Sequence, residues 1–351
     1  MDVPSDSFLS ALLNALDILE FAARHLDPSA FGALREAVAP RDQKYRAAHA
    51  QLGTATPDWL KHPGDETLAA FDELKSALAQ NDVRGVYKAL RHAPRAQEAL
   101  YPHAASDARI NRFFVDHALR DNAQMLERCA LPSRDGETGI MHFANGYGTR
   151  GGFSLYVPET YTPDRKWPLV VALHGGSGHG RGFLWSWLRD ARTYGAILIA
   201  PTAIGPTWAL MGDDADTPNI NQMLERVCER WSVDPARLLM TGMSDGGTFC
   251  YVSGLEPASR FTHLGPVSAA FHPMLASMAD AGRLRGLPVF MAHGALDWMF
   301  PVEIARQAWQ ILSASGANVT YREIGDLSHS YPREINAEML AWLRETSLPN
   351  D

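Results

Sequence analysis

A serine is held between glycines in Gly242-Met243-Ser244-Asp245-Gly246, after an apolar run and before a small-residue helical start. Read as strand, sharp turn and helix, this is the G-x-S-x-G arrangement that lifts a serine hydroxyl above the end of a sheet. The glycines let strand and helix approach without an intervening side chain. The helix that follows aims free N–H groups and its positive dipole end at the reacting centre. The bare pattern is weak, because a Ser between glycines is commonly no more than a turn. Its weight depends on whether the chain supplies partners.

A serine that performs acyl transfer needs a base, an acid to orient the base, and N–H donors for the oxyanion. The base candidate is His329, in Ile324-Gly325-Asp326-Leu327-Ser328-His329-Ser330, and no histidine follows it. The bland reading, a loop histidine without a role, loses ground once Ser244 is placed upstream at an elbow. The acid candidate is Asp297, in Met291-Ala292-His293-Gly294-Ala295-Leu296-Asp297-Trp298, where a strong strand feeds a His-Gly turn. Asp326 is the alternative. It shares one short loop with His329 and is poorly placed to approach the far ring nitrogen. The oxyanion donors are assigned to the backbone of Asp245 and of Gly176, in Leu173-His174-Gly175-Gly176-Ser177-Gly178, with Gly175 and Ser177 as rivals.

The elements that must hold these residues fall into two regions. Residues 1–131 read as helices, beginning with Leu9, Leu12, Leu13, Leu16 and Leu19 at helical spacing and Asp6 as the N-cap. Further helices are expected over 30–38, 65–79, 83–92 and 106–129, with breaks at Pro28, Pro40, Pro57, Pro63, Pro94 and Pro102. From Pro132 the pattern changes. Strands are expected at 139–143, 151–157, 169–173, 197–200, 238–242, 264–267, 289–292 and 319–324. Helices are expected at 182–194, 215–231, 246–253, 302–314 and 333–344. Alternation of this kind gives an α/β fold with a mostly parallel sheet covered on both faces, and ligands sit at the carboxyl ends of such strands. Each candidate residue follows a strand.

Composition sets the outer bounds. The chain has 351 residues, 46% of them hydrophobic, with a net charge of −8. An acidic balance argues against nucleic acid as a partner. Cys129, Cys228 and Cys250 are odd in number and far apart, so neither a disulfide framework nor a zinc site is suggested. His25, His49, His62, His92, His103 and His117 form no ligand pattern. The first basic residue is Arg24, and the apolar segment before it carries Asp17 and Glu20, unlike a signal peptide. No stretch approaches the length of a membrane span. A cytoplasmic protein without metal or organic cofactor is the expectation.

Residues from about 150 to 345 resemble the α/β-hydrolases, and within them the carboxylesterase and polyhydroxybutyrate-depolymerase-like esterases. The resemblance rests on Leu173-His174-Gly175-Gly176, Ala200-Pro201, Val233-Asp234-Pro235-Ala236-Arg237 leading into Thr241-Gly242-Met243-Ser244-Asp245-Gly246-Gly247, His293-Gly294-Ala295-Leu296-Asp297, and His329. It implies a Ser244-Asp297-His329 triad, hydrolysis of a small or oligomeric ester through an acyl-enzyme, and no cofactor. Trp208 and Trp298 are candidate substrate-binding aromatics, with core packing as their alternative role. The helical region lies outside the resemblance and is read as a lid, a packing layer or an oligomerisation surface. A serine peptidase of prolyl-oligopeptidase type, a polyester depolymerase and a non-enzymatic scaffold are the rival readings.

Overall fold

The structure is a computed structural model, described for residues 3–54 and 56–346. The chain forms two compact units, Met1–Leu131 and Pro132–Asp351.

In the first unit the leucines at helical spacing do what their periodicity demands. Leu9, Leu12, Leu16 and Leu19 are buried along one face of the helix Val3–Arg24. Three expectations fail here. Asp6 lies within the first turn of that helix and is not its N-cap. Pro40 and Pro63 do not break helices: they lie inside Phe31–His49 and Asp58–Ala79. Each proline removes one backbone hydrogen bond, and the buried faces around it, Leu34, Val38 and Tyr45 in one case and Leu60, Phe71 and Leu74 in the other, outweigh that loss. The single helix expected over 106–129 is three short ones. Asp107, Asp116 and Asn122 each accept backbone N–H groups and restart the chain as a cap. His117 approaches Asp17 and Glu20 within 4.8 Å, but Glu20 already accepts from Gln97 Nε2 and Asp17 from Arg120 Nη2. Among the described residues no helix is long and apolar enough to cross a membrane.

The second unit is built on eight strands: β1 Gly139–Phe143, β2 Phe153–Val157, β3 Trp167–Leu173, β4 Ile197–Pro201, β5 Val233–Met243, β6 His263–Val267, β7 Pro288–Gly294 and β8 Asn318–Ile324. They form one sheet in the order β1-β2-β4-β3-β5-β6-β7-β8. β2 runs antiparallel to β1 and β4, and the rest are parallel. This is the α/β-hydrolase fold. The central strands β4, β6 and β7 are buried along their whole length, as expected for a sheet with both faces covered. Register aligns the carboxyl ends: Leu173 pairs with Gly242, Gly242 with Pro266, Val267 with Ala292 and Gly294 with Ile324. The segments leaving those ends carry the glycine-rich loop, Ser244, Asp297 and His329. The helix expected over 182–194 is interrupted, as Gly180–Phe183, a short 3₁₀ turn and Leu188–Tyr194.

His263 on β6 is fully buried, with Nδ1 against Thr262 Oγ1 at 2.8 Å and Nε2 against Thr346 Oγ1 at 2.9 Å. Burial pushes its pKa from 6.5 down to about 4, and Arg237 acts in the same direction. Between those values the unfolded chain binds a proton that the native state refuses. Stability therefore rises with pH across this window and is lost as pH falls toward about 4. Urea unfolding at pH 7 and pH 5 is expected to differ by up to about 2 kcal/mol from this group alone. His263→Gln flattens that difference, and an unchanged slope removes His263 as its source.

Candidate active site

Ser244 sits between β5 and the helix Asp245–Gly254 with φ 57° and ψ −120°, a strained conformation for a residue with a side chain. Its N–H donates to Val267 O at 2.9 Å, and its carbonyl accepts from Thr248 N–H at 2.8 Å, which anchor the turn on both sides. The turn closes only around glycine. A methyl group at Gly242 would lie 2.6 Å from the Gly246 carbonyl carbon, and one at Gly246 would lie 2.5 Å from Leu173 O.

The three side chains singled out from the sequence lie in one line of hydrogen bonds. His329 Nδ1–H donates to Asp297 Oδ2 at 2.8 Å and lies 3.0 Å from Oδ1. A carboxylate only accepts, so Nδ1 carries the proton and Nε2 is left as an acceptor. Ser244 Oγ lies 3.0 Å from that Nε2. All three residues are buried. Asp297 is held from its other side, since Oδ1 accepts N–H groups of Met299 at 2.9 Å and Phe300 at 2.8 Å. Asp326, the alternative acid, is exposed on the loop before His329.

The glycine-rich loop after β3 is braced by residues 203–208, a contribution the sequence did not signal. His174 Nδ1–H donates to Gly175 O at 2.7 Å, and Nε2 accepts from Ala203 N–H at 3.1 Å. Ser177 N–H donates to Pro206 O at 3.1 Å, which occupies it and removes Ser177 from the rival oxyanion donors. Arg150 joins the same segments, with Nη1 on Gly178 O at 2.6 Å and Nε on Gly205 O at 2.9 Å. Thr207 Oγ1–H donates to Asp245 Oδ2 at 2.6 Å, tying the brace to the residue after Ser244. The same Oδ2 lies 2.6 Å from where a methyl group at Gly176 would sit. Asp245 opens its helix, so its backbone N–H has no intrahelical acceptor.

The two tryptophans part company. Trp208, expected as a substrate-binding candidate, is 2% exposed, donates Nε1–H to His174 O at 2.7 Å and stacks on Phe249 with centroids 5.4 Å apart. Its ring packs the loop from beneath and offers no surface to a ligand. Trp298 is 43% exposed, with its ring edge-on to His329 at 6.2 Å. Leu296 and Met299 on the same turn are also exposed. Beside the glycine-rich loop lies a shallow depression of about 350 Å³ lined by Arg150, Ser177, Ile204, Gly205 and Pro206. His179 serves as a cap, with Nδ1 accepting from Arg181 N–H at 3.2 Å and Nε2–H donating to Thr149 O at 2.9 Å.

No protein-family model matches the chain. It is similar to a bifunctional acetylxylan esterase/xylanase of Neocallimastix patriciarum, at 24% identity over 162 residues, covering 45% of this chain and 23% of that protein. It is also similar to a poly(3-hydroxybutyrate) depolymerase of Ralstonia pickettii, at 26% identity, covering 37% and 30%. A third relative, an acyl-protein thioesterase of Gibberella zeae, is 28% identical, with 33% and 51% covered. The matches thus span about a quarter to a half of these relatives. Among solved structures, a thermostable esterase aligns with a TM-score of 0.47 at 22% identity over 60% of this chain and 63% of that one. A ferulic acid esterase aligns at 0.49 and 15% identity, over 59% and 96%. The relatives are hydrolases of ester or thioester bonds.

Proposed function

We propose that this chain, an α/β-hydrolase whose relatives cleave ester bonds, is a serine hydrolase of carboxylic esters. The observation that carries the reading is the continuous contact Asp297–His329–Ser244, made by residues 32 and 85 positions apart along the chain. Ser244 Oγ attacks the ester carbonyl while His329 Nε2 takes its proton. Asp297 fixes the tautomer and stabilises the imidazolium. Backbone N–H groups of Asp245 and Gly176 stabilise the oxyanion of the tetrahedral intermediate. Its collapse breaks the bond to the alkoxy oxygen, which takes the proton from His329 and leaves as an alcohol. Water, deprotonated by His329, then attacks the acyl-enzyme and releases the acid and Ser244. No step calls on a metal or an organic cofactor.

The direct test is covalent. A fluorophosphonate probe is expected to label the folded protein once, with the adduct on the peptide containing Ser244. A panel of p-nitrophenyl esters should be turned over by the same preparation, and labelled protein should be inactive. Modification elsewhere with full retained turnover would end the proposal.

Gly176→Ala tests the second donor. The added methyl is forced against Asp245 Oδ2, so the loop moves while its N–H is retained. A displacement of about 1 Å is expected to lower kcat by about 10²-fold, with KM changing less and the melting temperature little altered. Wild-type turnover would transfer the donor role to Gly175.

A polyester-depolymerase reading draws on a separate feature. Leu296, Trp298 and Met299 form an exposed apolar lip beside His329, suited to resting on an insoluble acyl polymer. Clearing of a polyhydroxybutyrate emulsion that Trp298→Ala diminishes, with hydrolysis of a soluble short ester preserved, is the expected result.

A further inference from the structure

A second histidine lies behind the carboxylate. His293, near the end of β7, is 2% exposed, and its Nε2–H donates to Phe300 O at 2.8 Å. The same nitrogen is 3.4 Å from Asp297 Oδ2, so its positive edge also faces the carboxylate. Phe300 is thereby tied at both ends: its carbonyl to His293, its N–H to Asp297 Oδ1. Its ring stands perpendicular to the His329 imidazole at 5.3 Å. The turn 297–300 is otherwise held by backbone donors, Asp297 N–H to Gly294 O at 3.3 Å and Met299 N–H to Asp297 Oδ1 at 2.9 Å, while the side chains of Trp298 and Met299 are exposed.

We infer that His293 is a positioning residue for Asp297: an imidazole whose Nε2–H locks the 297–300 turn and so sets the carboxylate against His329. The inference rests on the triad reading above. A carbonyl only accepts, so the Phe300 carbonyl at 2.8 Å selects the Nε2–H tautomer. Three titratable groups bear on the ring. Asp297 and Glu323 of β8 favour its protonation, Glu323 being itself paired with Arg306 at 2.6 Å, while His329 opposes it. Burial dominates these and holds the pKa of His293 below the ordinary histidine range. Burial thus disfavours a second proton on this ring. A cation there would compete with the imidazolium of His329 for the same carboxylate.

The test compares His293→Phe, which keeps bulk and loses the donor, with His293→Gln, whose side-chain N–H reaches the position of Nε2. His293→Phe is expected to lower kcat by about 10- to 10²-fold with KM nearly unchanged, and to move the acid limb of kcat/KM to lower pH. The limb moves because a misaligned carboxylate stabilises the His329 imidazolium less. His293→Gln is expected within about fivefold of wild type, with the wild-type limb. Combined with Asp297→Asn, His293→Phe should cost nothing further, because both act through one carboxylate. Wild-type kcat in folded His293→Phe, equal impairment of the Phe and Gln variants, or additive losses in the double variant each overturn the inference. If His293→Phe does not fold, ¹⁵N-histidine spectra of the wild type decide. A ring that carries its proton on Nε2 and titrates below the ordinary histidine range supports the inference, and one that titrates within or above that range overturns it. Activity within tenfold of wild type in Ser244→Ala would instead bring down the triad reading itself.

Discussion

Ser244→Ala is expected to lower kcat for a p-nitrophenyl ester by about 10⁶-fold while the protein folds as before. The replacement removes one oxygen and its contact with His329 Nε2, and nothing else in the elbow depends on that oxygen. The turn is anchored by the Ser244 backbone, through Val267 O and Thr248 N–H, and by the clearances of Gly242 and Gly246. Alanine meets the same backbone strain at φ 57° as serine does. Circular dichroism and the melting temperature should therefore match wild type. A residual rate of about 10³-fold over water is expected from the oxyanion donors and binding alone. Activity within tenfold of wild type sinks the nucleophile assignment.

Asp297→Asn is the second large effect, with kcat expected to fall by about 10⁴-fold at neutral pH. The structure supplies the reason. Oδ1 accepts the Met299 and Phe300 N–H groups, so the amide oxygen of the variant is held there. Its NH₂ group must then occupy the Oδ2 position, 2.8 Å from His329 Nδ1. That nitrogen becomes an acceptor, and the proton moves to Nε2, which can no longer receive the proton of Ser244. Asp297→Ala lacks the wrong-tautomer amide, so it is expected to lose less than Asp297→Asn at the same pH. The opposite ranking would mean that orientation of the ring, and not its tautomer, is what the carboxylate supplies.

The legibility of the site followed the range of its determinants. The elbow at Ser244 was readable because its requirements are local: an apolar strand, glycine at Gly242 and Gly246, and a helix start. Asp297 was separable from Asp326 because Asp326 shares one short loop with His329, whereas Asp297 follows a different strand. The brace was not readable. The bonds from Ala203 to His174, from Ser177 to Pro206 and from Arg150 to Gly205 involve backbone atoms, which carry no residue signature. Trp208 stays open between pocket and core in the sequence for a related reason. An aromatic residue on a loop near a catalytic strand looks the same whether it faces a ligand or stacks on Phe249, and only burial decides. In the helical region Pro40 and Pro63 failed as punctuation because the packing of whole helix faces overrode a local penalty. Asp107, Asp116 and Asn122 were each readable as caps, but a long apolar periodicity hid them.

The lip formed by Leu296, Trp298 and Met299 shares its backbone with the turn that clasps Asp297. Any sequence change that reshapes this lip for another ligand also disturbs the clasp, so recognition and rate are coupled through one short peptide. A lineage exploring new esters would meet fewer losses by altering the depression around Ile204, whose neighbours brace the far loop without gripping the acid. Diversification among descendants of this chain is therefore expected to concentrate there, while the four residues from 297 to 300 drift slowly.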